Sequence, residues 1–271
     1  MIKQAIIPLA GLGTRMLPLT SVIPKELMPI NGKPNLQYIL DECIDAGVKE
    51  FIFIISKKKL SIKKYFFNDN FYRKILKKKK DKRLLEEYKK IKRYQKMIKF
   101  VYQNKPRGTG DAVLKCKKFI KNKYFLMLLP DDLIIRKNCS KEMIKLHKKT
   151  NGSIIATKKV ERKTVSRWGI LSIKNKKKNY FQIKDVVEKP SIKKAPSNFA
   201  IIGRYILTTK IFNEIKKLKP GQGGEIHITD AIRGLIKKEN KFYGNIFTGK
   251  YLDCGTLSGY INSSIEIFKG K

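Results

Sequence analysis

Acidic side chains are scarce in this chain. Its 271 residues hold 22 Asp and Glu against 62 Lys and Arg, a formal net charge of +40. Histidine occurs twice, tryptophan once and cysteine four times. Cys43, Cys116, Cys139 and Cys254 are scattered, with no close pair at metal-ligand spacing. That argues against a disulfide frame and for free thiols in a reducing compartment. Long apolar runs are also missing: none approaches the ~20 residues a membrane span needs. The apolar start is interrupted by Gln4 and Pro8, which leaves it too short for a secretory signal core. A soluble, cytoplasmic protein with no membrane partner is expected. The 42% hydrophobic content fits a folded chain long enough for one large domain or two small ones.

The basic surplus has two readings. A charge of this size ordinarily suggests nucleic acid or an anionic surface. Here the lysines run along the whole chain and sit beside Ile and Asn, as in "IKKYFFNDN" and "SIKNKKKNYF". That pattern fits a compositional drift at exposed positions better than a selected polyanion site. A nucleic-acid-binding protein is therefore the disfavoured reading of a different class.

Periodicity gives the organisation. "QAIIPLA" reads as a buried strand, "NLQYILDECIDAG" as a helix ended by Gly47, and "FIFIIS" as a strand covered on both faces. Phe66–Lys99 reads as charged surface helices. A strand "IKFVYQ", a helix "GDAVLKCKKFI", a strand "YFLMLLPDD", a helix around "KEMIKLHKK" and a strand "SIIATKKV" continue the alternation. Residues 1–160 are thus expected to form an open, mainly parallel α/β sheet. Afterwards "WGILSI", "NYFQIKDVVEKP" and "NFAIIGRYILT" follow as close strands, expected to be antiparallel. Two helices, "KIFNEIKKL" and "EIHITDAIRGLIKKE", two short strands and a helix from Leu257 to Phe268 complete the chain. With no repeat or linker, a single domain over 1–271 is expected.

The chemistry begins at "IIPLAGLGTRMLPLTSVIPKELMPINGKP". Gly11 and Gly13 match the first two glycines of a dinucleotide fingerprint, but Met16 stands where the third belongs. No Gly-Lys-Ser/Thr follows, so it is not a P-loop. Glycine N–H groups, an Arg15 fork and the compact Lys25 charge together suit phosphate oxygens. The bland alternative is a strand-to-helix turn with solvated basic residues.

Taken with "QNKPRGTGDAVL", "LPDD", "WGIL", "VVEKP", "APSNFAIIGRYIL", "GQGGEIHITDAI" and "DCGTLSGY", this opening resembles the sugar-phosphate nucleotidylyltransferases. Within them it is most similar to the bacterial UTP–glucose-1-phosphate uridylyltransferases, almost end to end. The resemblance implies a Rossmann-like open, mainly parallel mixed sheet with a β-rich sugar-binding part. Residues 1–160 would bind the nucleotide, and 161–271 would form the sugar-binding and C-terminal part. It implies Mg²⁺-assisted synthesis of UDP-glucose and pyrophosphate from UTP and glucose 1-phosphate. A thymidylyltransferase or another nucleotide-sugar pyrophosphorylase is the near alternative; a catalytically weak paralogue is a further one.

The implied roles follow the motifs. Ala10, Gly11, Gly13, Gln103 and Gly108 would meet the nucleotide, with Gln103 and the Gly108 backbone at the uracil edge. Arg15, Lys25 and Lys189 would serve phosphoryl transfer. Asp131, at the end of an apolar strand, and Asp253 in "LDCG" would hold Mg²⁺. Glu188 would accept bonds from sugar hydroxyls, while Gly169 and Gly203 would leave room for the hexose. Asp132 is left open between a turn role and the site. Trp168 is expected to pack, His147 to be solvated and His227 to be structural, while Glu225 and Asp230 are expected on a helix. A homo-oligomer, dimer or tetramer, is implied only by the resemblance.

Overall fold

The computed structural model describes residues 2–79, 81–221, 224–238 and 241–270. β1 (Gln4–Pro8) is followed by short 3-10 turns, then a small hairpin, β2 (Pro29–Ile30) and β3 (Lys33–Pro34), and α1 (Asn35–Asp45). β4 (Glu50–Ile55), α2 (Leu60–Phe67), α3 (Asp69–Lys78), α4 (Lys82–Gln95), β5 (Ile98–Tyr102) and α5 (Gly108–Lys115) come next. β6 (Tyr124–Leu128), β7 (Asp132–Ile135), α6 (Cys139–Thr150) and β8 (Ser153–Lys159) follow. The rest is β9 (Gly169–Lys174), β10 (Tyr180–Glu188), β11 (Phe199–Thr208), α7 (Ile211–Lys217), α8 (Ile228–Lys238), β12 (Phe242–Ile246), β13 (Lys250–Asp253) and α9 (Leu257–Lys269).

Nine strands make one mixed sheet in the order β5-β4-β1-β6-β11-β8-β12-β10-β9. β5, β4, β1 and β6 run parallel. β11 lies antiparallel between β6 and β8, and β12 pairs parallel with β8. β11 can take that central place because all ten of its residues are buried, as a strand covered on both faces requires. It comes from the 161–271 part of the chain and separates two strands of the 1–160 part. Near Ala200 it also touches β9 at Ile170, so the far end of the sheet curls back.

Alternation along each strand splits the core. Ile7, Phe51, Phe53 and Leu126 pack beneath α1, α2, α4 and α6. Ile6, Ile52, Ile54 and Met127 pack beneath α5, α7 and α8. The charged helices of Phe66–Lys99 bury a narrow face: Phe66, Ile91 and Tyr94 point inward, and the lysines stay outside.

Several expectations change. "YFLMLLPDD" is not one strand: β6 ends at Leu128, the chain turns, and β7 starts at Asp132. β7 then pairs antiparallel with β13, setting Asp253 opposite Asp132. α8 begins at Ile228, so Glu225 precedes it and only Asp230 lies on it. Gln222, Gly223 and Glu239 of the quoted segments lie outside the described residues.

Candidate active site

The turn between β6 and β7 is held on every side. The Leu129 amide donates to Gly203 O at 2.7 Å, and Arg204 Nη1 donates to Leu129 O at 3.2 Å. Asn35 Nδ2 donates to Pro130 O at 2.9 Å, and the Cys254 amide donates to Asp131 O at 2.7 Å. Asp132 accepts from the Gly203 amide at 2.9 Å and from the Tyr251 hydroxyl at 2.6 Å. With these backbone groups satisfied, the turn is a rigid mount. Asp132 is therefore a positioning side chain. Burial first, and then the charge of Asp131, push its carboxyl up to about 6.

The mount presents Asp131 to the crevice, three residues beyond the strand end expected for it. Lys25 Nζ lies 2.6 Å from Asp131 Oδ2, and Arg15 Nη2 lies 3.4 Å from the same oxygen. Burial works to raise the Asp131 pKa, but Lys25 and Arg15 outweigh it and hold the carboxylate below its ordinary range. Lys25 behaves conversely. Burial works to lower its pKa, yet Asp131 and Glu26 hold it above the usual value.

The crevice lies outside the carboxyl ends of β1, β5 and β6, where open α/β sheets bind ligands. It has two lobes. One, of about 400 Å³, is lined by Ala10, Gly11, Gly13, Lys25, Gln103 and Gly108, among others. The other, of about 440 Å³, is lined by Arg15, Gly169, Glu188, Lys189, Gly203 and Asp253, among others. Asp131, Leu129, Thr109 and Glu225 line both. All thirteen sequence-predicted site residues thus come together around one carboxylate. Arg15, expected with Lys25 at the phosphates, lines the Glu188 lobe while Lys25 lines the glycine-lined one.

Local geometry sets the individual roles. Glu188 stands opposite Gly169 in the β9–β10 pair, and a Cβ on Gly169 would meet its Oε2 at 3.2 Å. Lys189 has a left-handed backbone, φ 43°, and its amide donates to Trp168 O at 3.0 Å. A strained non-glycine residue at the mouth of a crevice fits a functional constraint. No carboxylate lies within 4 Å of the Lys189 ammonium among the described residues. Gln103 is buried, with Nε2 donating to Asp111 Oδ2 at 2.7 Å and to Gly108 O at 3.1 Å.

Two of the glycines are also required by packing. At Gly108 φ is +89°, and a Cβ would stand 2.5 Å from Ile226 O. Glycine there lets the 225–228 segment close against the nucleotide loop. At Gly203, which lines the Glu188 lobe, a Cβ would stand 2.4 Å from Asp132 Oδ2, so a side chain there would collide with the mount. The register of β11 against β8 also slips between Ile201 and Tyr205, across Gly203.

His147 is half-buried rather than freely solvated: Nδ1 sits 2.7 Å from Gly152 O, and the ring packs on Tyr124. Trp168 packs edge-on against Tyr251, as expected, and lines the Glu188 lobe. His227 lines the same lobe. Sequence reasoning missed Arg204, which is fully buried and pairs with Glu42 Oε2 at 2.9 Å. It also missed Tyr251, Asn35 and the pair Lys59–Glu26. The available signal for Arg204 was an arginine inside an apolar run, "AIIGRYIL", which has to be paired if buried.

The family model described as Nucleotidyl transferase matches residues 4–269. A UTP–glucose-1-phosphate uridylyltransferase of Mycoplasma genitalium is 37% identical over 269 residues, covering 97% of this chain and 91% of its own. Among solved structures, UDP-glucose pyrophosphorylase complexed with UDP-glucose matches with a TM-score of 0.89 at 36% identity, covering 100% of both chains. A UTP-bound UGPase from Acinetobacter baumannii matches with a TM-score of 0.87 at 31% identity, covering 98% of this chain and 93% of that one.

Proposed function

The chain belongs to the nucleotidyl transferase family, and we propose that it makes UDP-glucose and pyrophosphate from UTP and glucose 1-phosphate. The observation that carries this reading is the two-lobed crevice sharing Asp131: the glycine-lined lobe suits a nucleotide, and the Glu188 lobe suits a sugar. An oxygen of the sugar phosphate attacks the α-phosphorus of UTP. The bond from that phosphorus to the bridging oxygen breaks, and pyrophosphate leaves with the electron pair. No proton has to move, so positioning and charge neutralisation do the catalysis.

Lys25 and Arg15, gathered on Asp131, stand at the junction of the lobes and meet the phosphates there. Lys189 reaches the same region from the sugar side. Glu188 accepts from vicinal hydroxyls, and Gln103 with the Gly108 backbone faces the uracil. The residues fit Mg²⁺. Asp131 and Asp253 turn hard oxygens toward the same spot, where a Cβ on Gly255 would stand 2.8 Å from Asp131 Oδ2, 3.1 Å from Asp253 Oδ1 and 3.0 Å from Arg15 Nη2, so the ion would share this space with the Arg15 guanidinium. No group of three or more His, Cys, Asp or Glu suited to a metal occurs among the described residues. Phosphates and water would complete the shell, as Mg²⁺ sites commonly arrange. The ion, held by Asp131 and Asp253, would neutralise phosphate charge.

The reading includes one domain in two parts, 1–160 and 161–271, which β11 stitches together. It includes a cytoplasmic setting, which suits four buried free thiols. Among the described residues no helix is long and apolar enough to cross a membrane. It also includes self-association as a dimer or tetramer, checked by light scattering. The test of function is a pyrophosphate-release assay with each nucleoside triphosphate and each hexose 1-phosphate. UTP with glucose 1-phosphate is expected to be the best pair; preference for dTTP would move the protein to the thymidylyl branch.

A further inference from the structure

Lys59 ends the run Lys57-Lys58-Lys59, yet only Lys59 is buried, 7% exposed. It closes the 3-10 turn Lys57–Lys59 and stands at the N-cap of α2, the helix whose Ile62 and Phe66 are buried. Its ammonium lies 2.8 Å from both carboxylate oxygens of Glu26, which is 1% exposed. Glu26 sits in the 3-10 turn Lys25–Leu27, directly after Lys25. Charges therefore alternate across the crevice floor, from Lys59 through Glu26, Lys25 and Asp131 to Arg15. Lys25 and Glu26 line the nucleotide lobe, and Lys59 stands behind them.

We infer that Lys59 is a positioning residue for the transfer reaction: through Glu26 it holds the Lys25–Leu27 turn so that the Lys25 ammonium stays in place over Asp131. The inference rests on the nucleotidyl-transfer reading. An apolar pair of similar volume would serve stability as well as a buried ion pair does, so stability alone gives little reason for these charges. The gain is geometric. A carboxylate gripped at both oxygens fixes the turn's orientation, which an apolar contact does not. Misplacing a catalytic group by about 1 Å costs on the order of a hundredfold in rate.

The test compares wild type, Lys59→Met, and the double variant Lys59→Met with Glu26→Met, by thermal melting and by steady-state kinetics with UTP and glucose 1-phosphate varied in turn. The single variant strands a buried carboxylate and is expected to melt lower. The double variant removes both charges and is expected to regain wild-type melting. Its kcat is expected to stay about ten- to a hundredfold low, with both KM values within about threefold of wild type. A double variant with wild-type kcat, or one that does not fold, marks the pair as structural only and overturns the inference. Absence of pyrophosphate release from wild-type protein removes the reaction itself, and the inference falls with that reading.

Discussion

Asp131 concentrates more of the chemistry than any other side chain. Two cations converge on one of its oxygens, and it lines both lobes. Asp131→Asn keeps the shape and removes the charge, so the fold is expected to persist by circular dichroism. Turnover at ordinary Mg²⁺ is expected to fall by at least about a hundredfold, as loss of an electrostatic group in a transition state does. Near-wild-type turnover would rule out the metal role. Gly108 gives a second test. Gly108→Ala forces a side chain to φ +89° and against Ile226 O, and strain of this kind costs about 1–3 kcal/mol. A lower melting temperature with a raised KM for UTP is expected; unchanged values for both would mean that the 225–228 segment is free to move aside.

The elements were legible where their signal was local. "FIFIIS" became β4 and "NFAIIGRYILT" became β11, because an apolar run bounded by polar residues carries its own cause. The glycine, lysine and carboxylate positions were legible through motif order. What the sequence did not show were pairings between distant segments. β7 and β13 are four residues each and become strands only against one another. The Arg204–Glu42 pair joins β11 to α1 across 162 positions. An arginine inside an apolar run marks Arg204, but no local pattern names Glu42 as its partner. Lys59 was hidden for another reason: it stands in a run of lysines whose composition suggested solvent. The Arg204 clamp belongs to this scale. Glu42→Ala leaves a fully buried guanidinium unpaired beneath the Asp131 turn, and a loss of about 3–5 kcal/mol of stability is expected from chemical denaturation. A change within about 0.5 kcal/mol, the range of ordinary surface substitutions, would show that the clamp adds nothing.

Across the whole molecule, the few acidic residues divide between the crevice and buried pairs on one side and exposed ion pairs such as Lys89–Glu86 and Lys163–Glu161 on the other, while the lysines run along the whole chain. That distribution predicts weak, non-selective binding to duplex DNA at physiological salt, falling steeply as salt rises. Tight, sequence-selective binding in a filter or fluorescence assay would overturn the view that the charge is incidental. The central claim is that one crevice is divided into a nucleotide lobe and a sugar lobe meeting at Asp131. Steady-state kinetics of Glu188→Ala and Lys189→Ala, with UTP and glucose 1-phosphate varied separately, tests it most directly. Lys189→Ala is expected to lower kcat strongly, since its interaction grows as charge shifts at the α-phosphorus. Glu188→Ala is expected to raise the KM for glucose 1-phosphate about ten- to a hundredfold, the worth of a charged hydrogen bond, and to leave the KM for UTP nearly unchanged. A Glu188→Ala enzyme that loses UTP affinity and keeps its sugar KM would contradict the division.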